Sequence, residues 1–142
     1  MRNALSIDYR RIADLKAYDS SAHTHPNAQL AKLKSLLQCF GLVRPILVDE
    51  HNVVIDGHAV MQAWEALGHD EIAVVVATNR SPAEIRALRL ALNRVAQDAG
   101  WDKTALKAEF EALIDLGFDM TLTGFDPVEI DGNEVCGEAW RD

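Results

Sequence analysis

Between Phe40 and Val76 the order of apolar and polar residues leaves few architectures open to this chain. Two short apolar runs, Pro45-Ile46-Leu47-Val48 and Val53-Val54-Ile55, flank the polar tetrad Asp49-Glu50-His51-Asn52, and that spacing predicts a strand, a turn and a strand. Asp56-Gly57-His58-Ala59 then opens a helical stretch from His58 to Leu67, which Gly68 terminates. Ile72-Ala73-Val74-Val75-Val76 shows no alternation and reads as a strand covered on both faces. A hairpin, a crossover helix and a buried strand specify an α+β fold with a small mixed sheet. A glycine just ahead of a helix also lets the backbone approach an anion, while the first helical N–H groups have no intrahelical acceptor.

The flanking segments extend the pattern. Ile7, Ile12 and Leu15 suggest a short strand and turn, and residues 19–27 form a polar loop containing His23, Thr24 and His25. From Asn27 to Phe40, Leu30, Leu33, Leu36, Leu37 and Phe40 recur at helical spacing, with Gly41 as the stop. Arg44 precedes Pro45 and is biased toward extended backbone. Ser81-Pro82-Ala83-Glu84 is a capping box with proline in the first turn, opening a helix to about Ala99. Its inner face is expected to carry Ile85, Leu88, Leu92 and Val95, with Arg86, Arg89 and Arg94 elsewhere. Gly100-Trp101-Asp102 breaks the chain, and Asp102 caps a further helix with Leu106, Phe110, Leu113 and Ile114 inward, ending at Gly117. Trp64 and Trp101 sit beside apolar helix positions and read as core anchors. The expected organisation is an α/β domain over residues 1–80, a helical extension over 81–130, and an acidic tail over 131–142, disordered or docked on a partner chain.

Charge narrows the function. The 142 residues carry a formal charge of −8, which is −1 over residues 1–80 and −7 over residues 81–142. A protein that grips duplex DNA alone presents a basic surplus to the phosphates, and here there is none. Arg2, Arg10, Arg11 and Lys16 could form a local basic patch, although a solvated N-terminal segment explains them as simply. No apolar run approaches the roughly 20 residues needed to span a bilayer. The charged N-terminus does not read as a signal peptide, so a cytoplasmic protein is expected. Cys39 and Cys136 stand far apart, one on a helix and one in the acidic tail, and do not suggest a structural disulfide.

Several groups of residues in fixed order carry a family resemblance. They are Gln29 through Gly41, Pro45 to Val48, Ile55-Asp56-Gly57-His58, Ala63, Leu67-Gly68, and Ile72 with Val74. Over residues 5–80 the chain resembles the ParB N-terminal-like domain of the ParB/sulfiredoxin superfamily. Further along, Arg89-Leu90-Ala91-Leu92-Asn93-Arg94, Gly100-Trp101-Asp102, Leu116-Gly117-Phe118-Asp119 and Leu122-Thr123-Gly124-Phe125 resemble the helical segment of its phage- and DNA-methylase-associated branch. The resemblance implies a nucleotide or phosphate site at Gly57, His58 and Ala59, with His23, Thr24, His25 and Arg44 nearby. CTP or another nucleotide with Mg²⁺ is the implied cofactor. The implied partners are DNA, reached through a partner or oligomer such as a homodimer, and a DNA methyltransferase or partition component, with no membrane. Two family arginines are absent. Val60 stands where the helix-start arginine is expected, and His23 stands where an arginine precedes the Thr-His pair. Neither cysteine matches the helix start, which excludes sulfiredoxin chemistry.

The same residues have plainer roles. Gly57 suits any tight strand-to-helix turn, His58 can pair with Asp56, and His23-Thr24-His25 lacks a third metal ligand. Arg44, Asn93 and Arg94 are secondary candidates that surface ion pairing also explains. Three functions are therefore carried forward. One is a nucleotide-sensing module serving partition, phage replication or DNA modification. Another is a ParB-like nuclease, nucleotidase or phosphotransferase using His58 and Asp56 with a divalent metal. The third is an interaction module whose site has decayed.

Overall fold

The computed structural model describes residues 4–18, 27–98, 100 and 102–125. His23, Thr24, His25, Trp101, Cys136 and the acidic tail lie outside the described residues. The chain divides into two compact units, Met1–Gln97 and Asp98–Asp142.

In the first unit, strand β1 (Asp8–Arg11) leads through a 3₁₀ turn at Ile12–Asp14 toward helix α1 (Asn27–Phe40). Strands β2 (Ile46–Asp49) and β3 (Val54–Asp56), helix α2 (His58–Ala66), strand β4 (Glu71–Ala77) and helix α3 (Pro82–Asp98) follow. The four strands form one mixed sheet in the order β1-β4-β2-β3, matching the expected α+β class. β2 and β3 are the antiparallel hairpin, β4 runs parallel to β2, and β1 closes antiparallel on β4. A parallel pair cannot be joined by a tight turn, so α2 is the crossover that returns the chain to the sheet. β4 occupies an interior position, and Ile72, Ala73 and Val74 are buried on it, which is why its sequence lacks alternation.

Ile46, Val48, Val54, Ile72 and Val74 from the sheet meet Met61 of α2 and Ile12 and Leu15 in one core, with Val60 and Trp64 packed at its margin. The polar tetrad turns as its composition demands. Asp49 Oδ1 accepts the N–H groups of His51 and Val53 at 2.8 and 2.9 Å, and Asn52 takes the left-handed conformation at φ 65°. Beside the hairpin, Lys16 donates to the Asn52 carbonyl at 2.8 Å and accepts from Val54 N–H at 2.9 Å. The chain after the 3₁₀ turn thus covers part of the outer edge of β3, leaving fewer backbone groups unpaired there.

The capping box of α3 forms as read. Ser81 N–H donates to Glu84 Oε1 at 3.0 Å, and Glu84 N–H donates to Ser81 Oγ at 3.1 Å. Its inner face differs from the expectation: Arg89 is buried at 8% exposure, whereas Val95 is 69% exposed. The reason is helical spacing, since Arg89 lies four residues after Ile85 and three before Leu92, on their stripe. On α1, Leu37 is buried and Phe40 is half exposed, and Cys39 is an exposed free thiol.

The second unit contains helix α4 (Lys103–Asp115) and a 3₁₀ turn at Met120–Thr123. Asp102 Oδ1 caps α4 by accepting from Thr104 and Ala105 N–H, and Gly117 ends it in the left-handed region at φ 73°. Phe110 and Met120 are buried together, and the Phe125 ring meets Phe110 edge-on at 5.1 Å. Among the described residues, no helix is long and apolar enough to cross a membrane.

Candidate functional site

The β3–α2 turn places Asp56, Gly57, His58 and Ala59 consecutively where the sheet hands the chain to the crossover helix. Gly57 is the N-cap residue at φ 98°, and a Cβ built there would lie 2.5 Å from Ile46 Cγ2 and 2.8 Å from Ile46 Cβ. Both the torsion and the space require glycine, so the turn backbone lies against the first residue of β2. Glycine brings no capping oxygen, and the first N–H of α2 bonded back to it is that of Met61, 2.9 Å from the Gly57 carbonyl. The N-cap residue of α2 therefore supplies no side-chain cap, and an anionic oxygen is favoured at such a helix start by N–H donors and the helix dipole.

The individual side chains divide. Asp56 and His58 are half-buried on either side of Gly57. The methyl group of Ala59 is buried. Val60, where the sequence resemblance led to an arginine being expected, is packed against the core. Arg44 is exposed in the bend ahead of β2, and on α3 Asn93 is half-buried while Arg94 is exposed. Among the described residues no group of three or more His, Cys, Asp or Glu side chains could hold a metal ion.

At the other end of β2 the first unit has a cleft of about 700 Å³ between the β2–β3 turn and the first turns of α3. Asp49, Glu50, His51 and Val53 line one wall, and Arg80, Pro82, Ile85, Arg86 and Arg89 line the other. With a rise of about 3.3 Å per residue, the four-residue strand separates this cleft from the Gly57 turn by roughly 10 Å. The acids are already engaged. Asp49 holds the turn, and Glu50 Oε1 accepts Asn79 N–H at 2.8 Å. Arg80 lies 3.5 Å from Glu84 in an exposed pair of little strength.

Arg89 is the residue that inspection of the sequence missed. Its Nη2 donates to the Val54 carbonyl at 3.2 Å, and the Tyr18 ring lies 3.6 Å from its guanidinium carbon. Its buried Nε has no hydrogen-bond partner among the described residues. A cation on the apolar stripe of an otherwise regular helix was the available signal.

A family model described as the ParB-methyltransferase HTH domain matches residues 104–132. The ParB-like nuclease domain-containing protein YnaK of Escherichia coli (strain K12) is 37% identical over 76 residues, covering 54% of this chain and 87% of that protein. Among solved structures, the C-terminally truncated chromosome-partitioning protein ParB from Caulobacter crescentus, complexed with CTP-gamma-S, aligns with a TM-score of 0.67 at 13% identity over 94% of this chain and 73% of its own. The same protein complexed to the centromeric parS site aligns with a TM-score of 0.51 at 14% identity, over 93% of this chain and 66% of its own. At those identities the two structures speak for the fold.

Proposed function

This chain belongs to the ParB-like domain family, and on that premise we propose that it is a nucleotide-responsive module serving a DNA transaction, with a nucleotide phosphate held at the Gly57 turn. The observation that carries this reading is the start of α2, whose N-cap is a left-handed glycine that brings no capping side chain and is pressed on Ile46. The solved ParB with CTP-gamma-S supports a nucleotide as the ligand class, and CTP with Mg²⁺ is the first ligand to try. DNA would be reached through a partner or a second copy, because the second half of the chain carries −7 of the total charge. The match to the ParB-methyltransferase HTH model supports a DNA methyltransferase or a partition component as that partner.

A second reading rests on Val60. An apolar residue packed on the core cannot supply the bidentate phosphate contact of an arginine, which favours an interaction module whose nucleotide site has decayed. Calorimetric titration of the whole chain with CTP, ATP and GTP, with and without magnesium, separates the two. Saturable heat with one nucleotide, lost in His58→Ala, supports the first reading. Absence of heat with all three removes nucleotide sensing and leaves the interaction module.

A further inference from the structure

We propose that the cleft at the C-terminal end of β2 is a second ligand site, distinct from the Gly57 turn, that accepts a small organic phosphate with an apolar or aromatic body. The argument begins with Arg89. Its side chain lies more than nine-tenths buried against the cleft, with one hydrogen bond to a neutral carbonyl and one aromatic face beside it. Among the described residues no carboxylate is paired with it, and its Nε donor is unsatisfied. A buried cation without a counter-ion is costly, and an anion entering the cleft that Arg89 lines would neutralise it.

The remaining lining defines the ligand. Arg80, in its exposed pair with Glu84, and Arg86 bring two further guanidiniums to the same cleft, and the two carboxylates facing them, Asp49 and Glu50, are turned to backbone N–H donors. Three guanidiniums suit a dianion with three terminal oxygens better than a monoanionic carboxylate. Tyr18, Val53, Ala77, Pro82 and Ile85 supply an apolar wall beside them, and the cleft volume of about 700 Å³ falls in the range of small-molecule sites.

The test uses the full chain, isotope-labelled for amide NMR, at constant ionic strength. Phenyl phosphate is the probe, with inorganic phosphate and benzoate as comparisons. Phenyl phosphate is expected to saturate one site, shifting the amide signals of His51, Val53 and Ile85, and to bind more tightly than either comparison. Arg86→Gln, an exposed change that spares the packing, should weaken it about tenfold, as should Arg89→Lys, whereas His58→Ala should leave it unchanged. Overturning results would be shifts confined to Gly57 and Ala59, equal binding by benzoate, or affinity indifferent to Arg86→Gln. Because His58→Ala probes the Gly57 turn and Arg86→Gln probes the cleft, failure at one site is distinguishable from failure at the other.

Discussion

Arg89 reaches from the middle of α3 to the Val54 carbonyl on β3, tying the helix to the sheet with a 3.2 Å hydrogen bond from a buried guanidinium. Removing the side chain leaves that carbonyl without its donor and removes the stem from the apolar stripe between Ile85 and Leu92. Arg89→Ala should cost about 1–3 kcal/mol of unfolding free energy. A urea denaturation midpoint unchanged from that of the parent would show that α3 is held by its neighbours without this bond.

Gly57 makes the opposite kind of demand, for absence of a side chain. At φ 98° an L residue is strained, and its Cβ would fall 2.5 Å from Ile46 Cγ2, so Ile46 or the turn must shift. Gly57→Ala is expected to destabilise the chain by about 2–4 kcal/mol through strain and overpacking. Thermal unfolding measures this directly, and a melting temperature equal to that of the parent would refute the close approach.

These two positions show how much the sequence reveals and where it stops. The hairpin, the crossover and the buried β4 were legible because each is encoded by a local run whose period or length differs from its neighbours. The capping box and Asp102 were legible because a cap is a contact between residues at most three apart. Gly57 was legible as a turn, but its dependence on Ile46 was not, since that contact spans the hairpin. Arg89 falls off the expected apolar face of α3 when charge is given more weight than the 85–89–92 spacing that places it inward. The cleft joins residues from the β2–β3 turn and α3, and no local pattern announces such a meeting.

The start of α3 should be sensitive to acid. The hydrogen bond from Ser81 N–H, then that from the Ser81 hydroxyl, with a smaller contribution from Arg80, holds the Glu84 carboxyl below its ordinary value of 4.5. A depressed folded-state value means that its stabilising contribution is fully present above the unfolded value and is lost as pH falls through the folded one. Amide exchange at Ser81 and Glu84, corrected for intrinsic rates, should therefore lose protection below about pH 4.5, and Glu84→Ala should remove that step. A step that persists in the variant would assign it to another carboxyl, with Asp8, lowered chiefly by its hydrogen bond with Arg10, the next to test.

In the second unit, Phe110 is 2% exposed beside the fully buried Met120, so truncation opens a cavity with little to fill it. Phe110→Ala should cost about 3–5 kcal/mol and strip exchange protection from α4. Protection of α4 at the parent level would mean that the pairing with Met120 and Phe125 does not hold this unit together.

The strongest test of the Gly57 turn is to supply the missing ligand group. Val60 is half-buried at the margin of the core, so an arginine there would lose apolar contact while its stem follows the surface and its head reaches solvent. Val60→Arg is thus expected to lower stability by about 1 kcal/mol. If the start of α2 retains a phosphate site, the same change should raise nucleotide affinity about tenfold, because a guanidinium fork adds charge-assisted hydrogen bonds to N–H donors already in place. Calorimetry on parent and variant reads both affinities, and denaturation reads the accompanying loss. A folded Val60→Arg chain that still binds CTP, ATP and GTP no better than its parent would show that the turn lacks more than its arginine, which is the outcome required by the interaction-module reading.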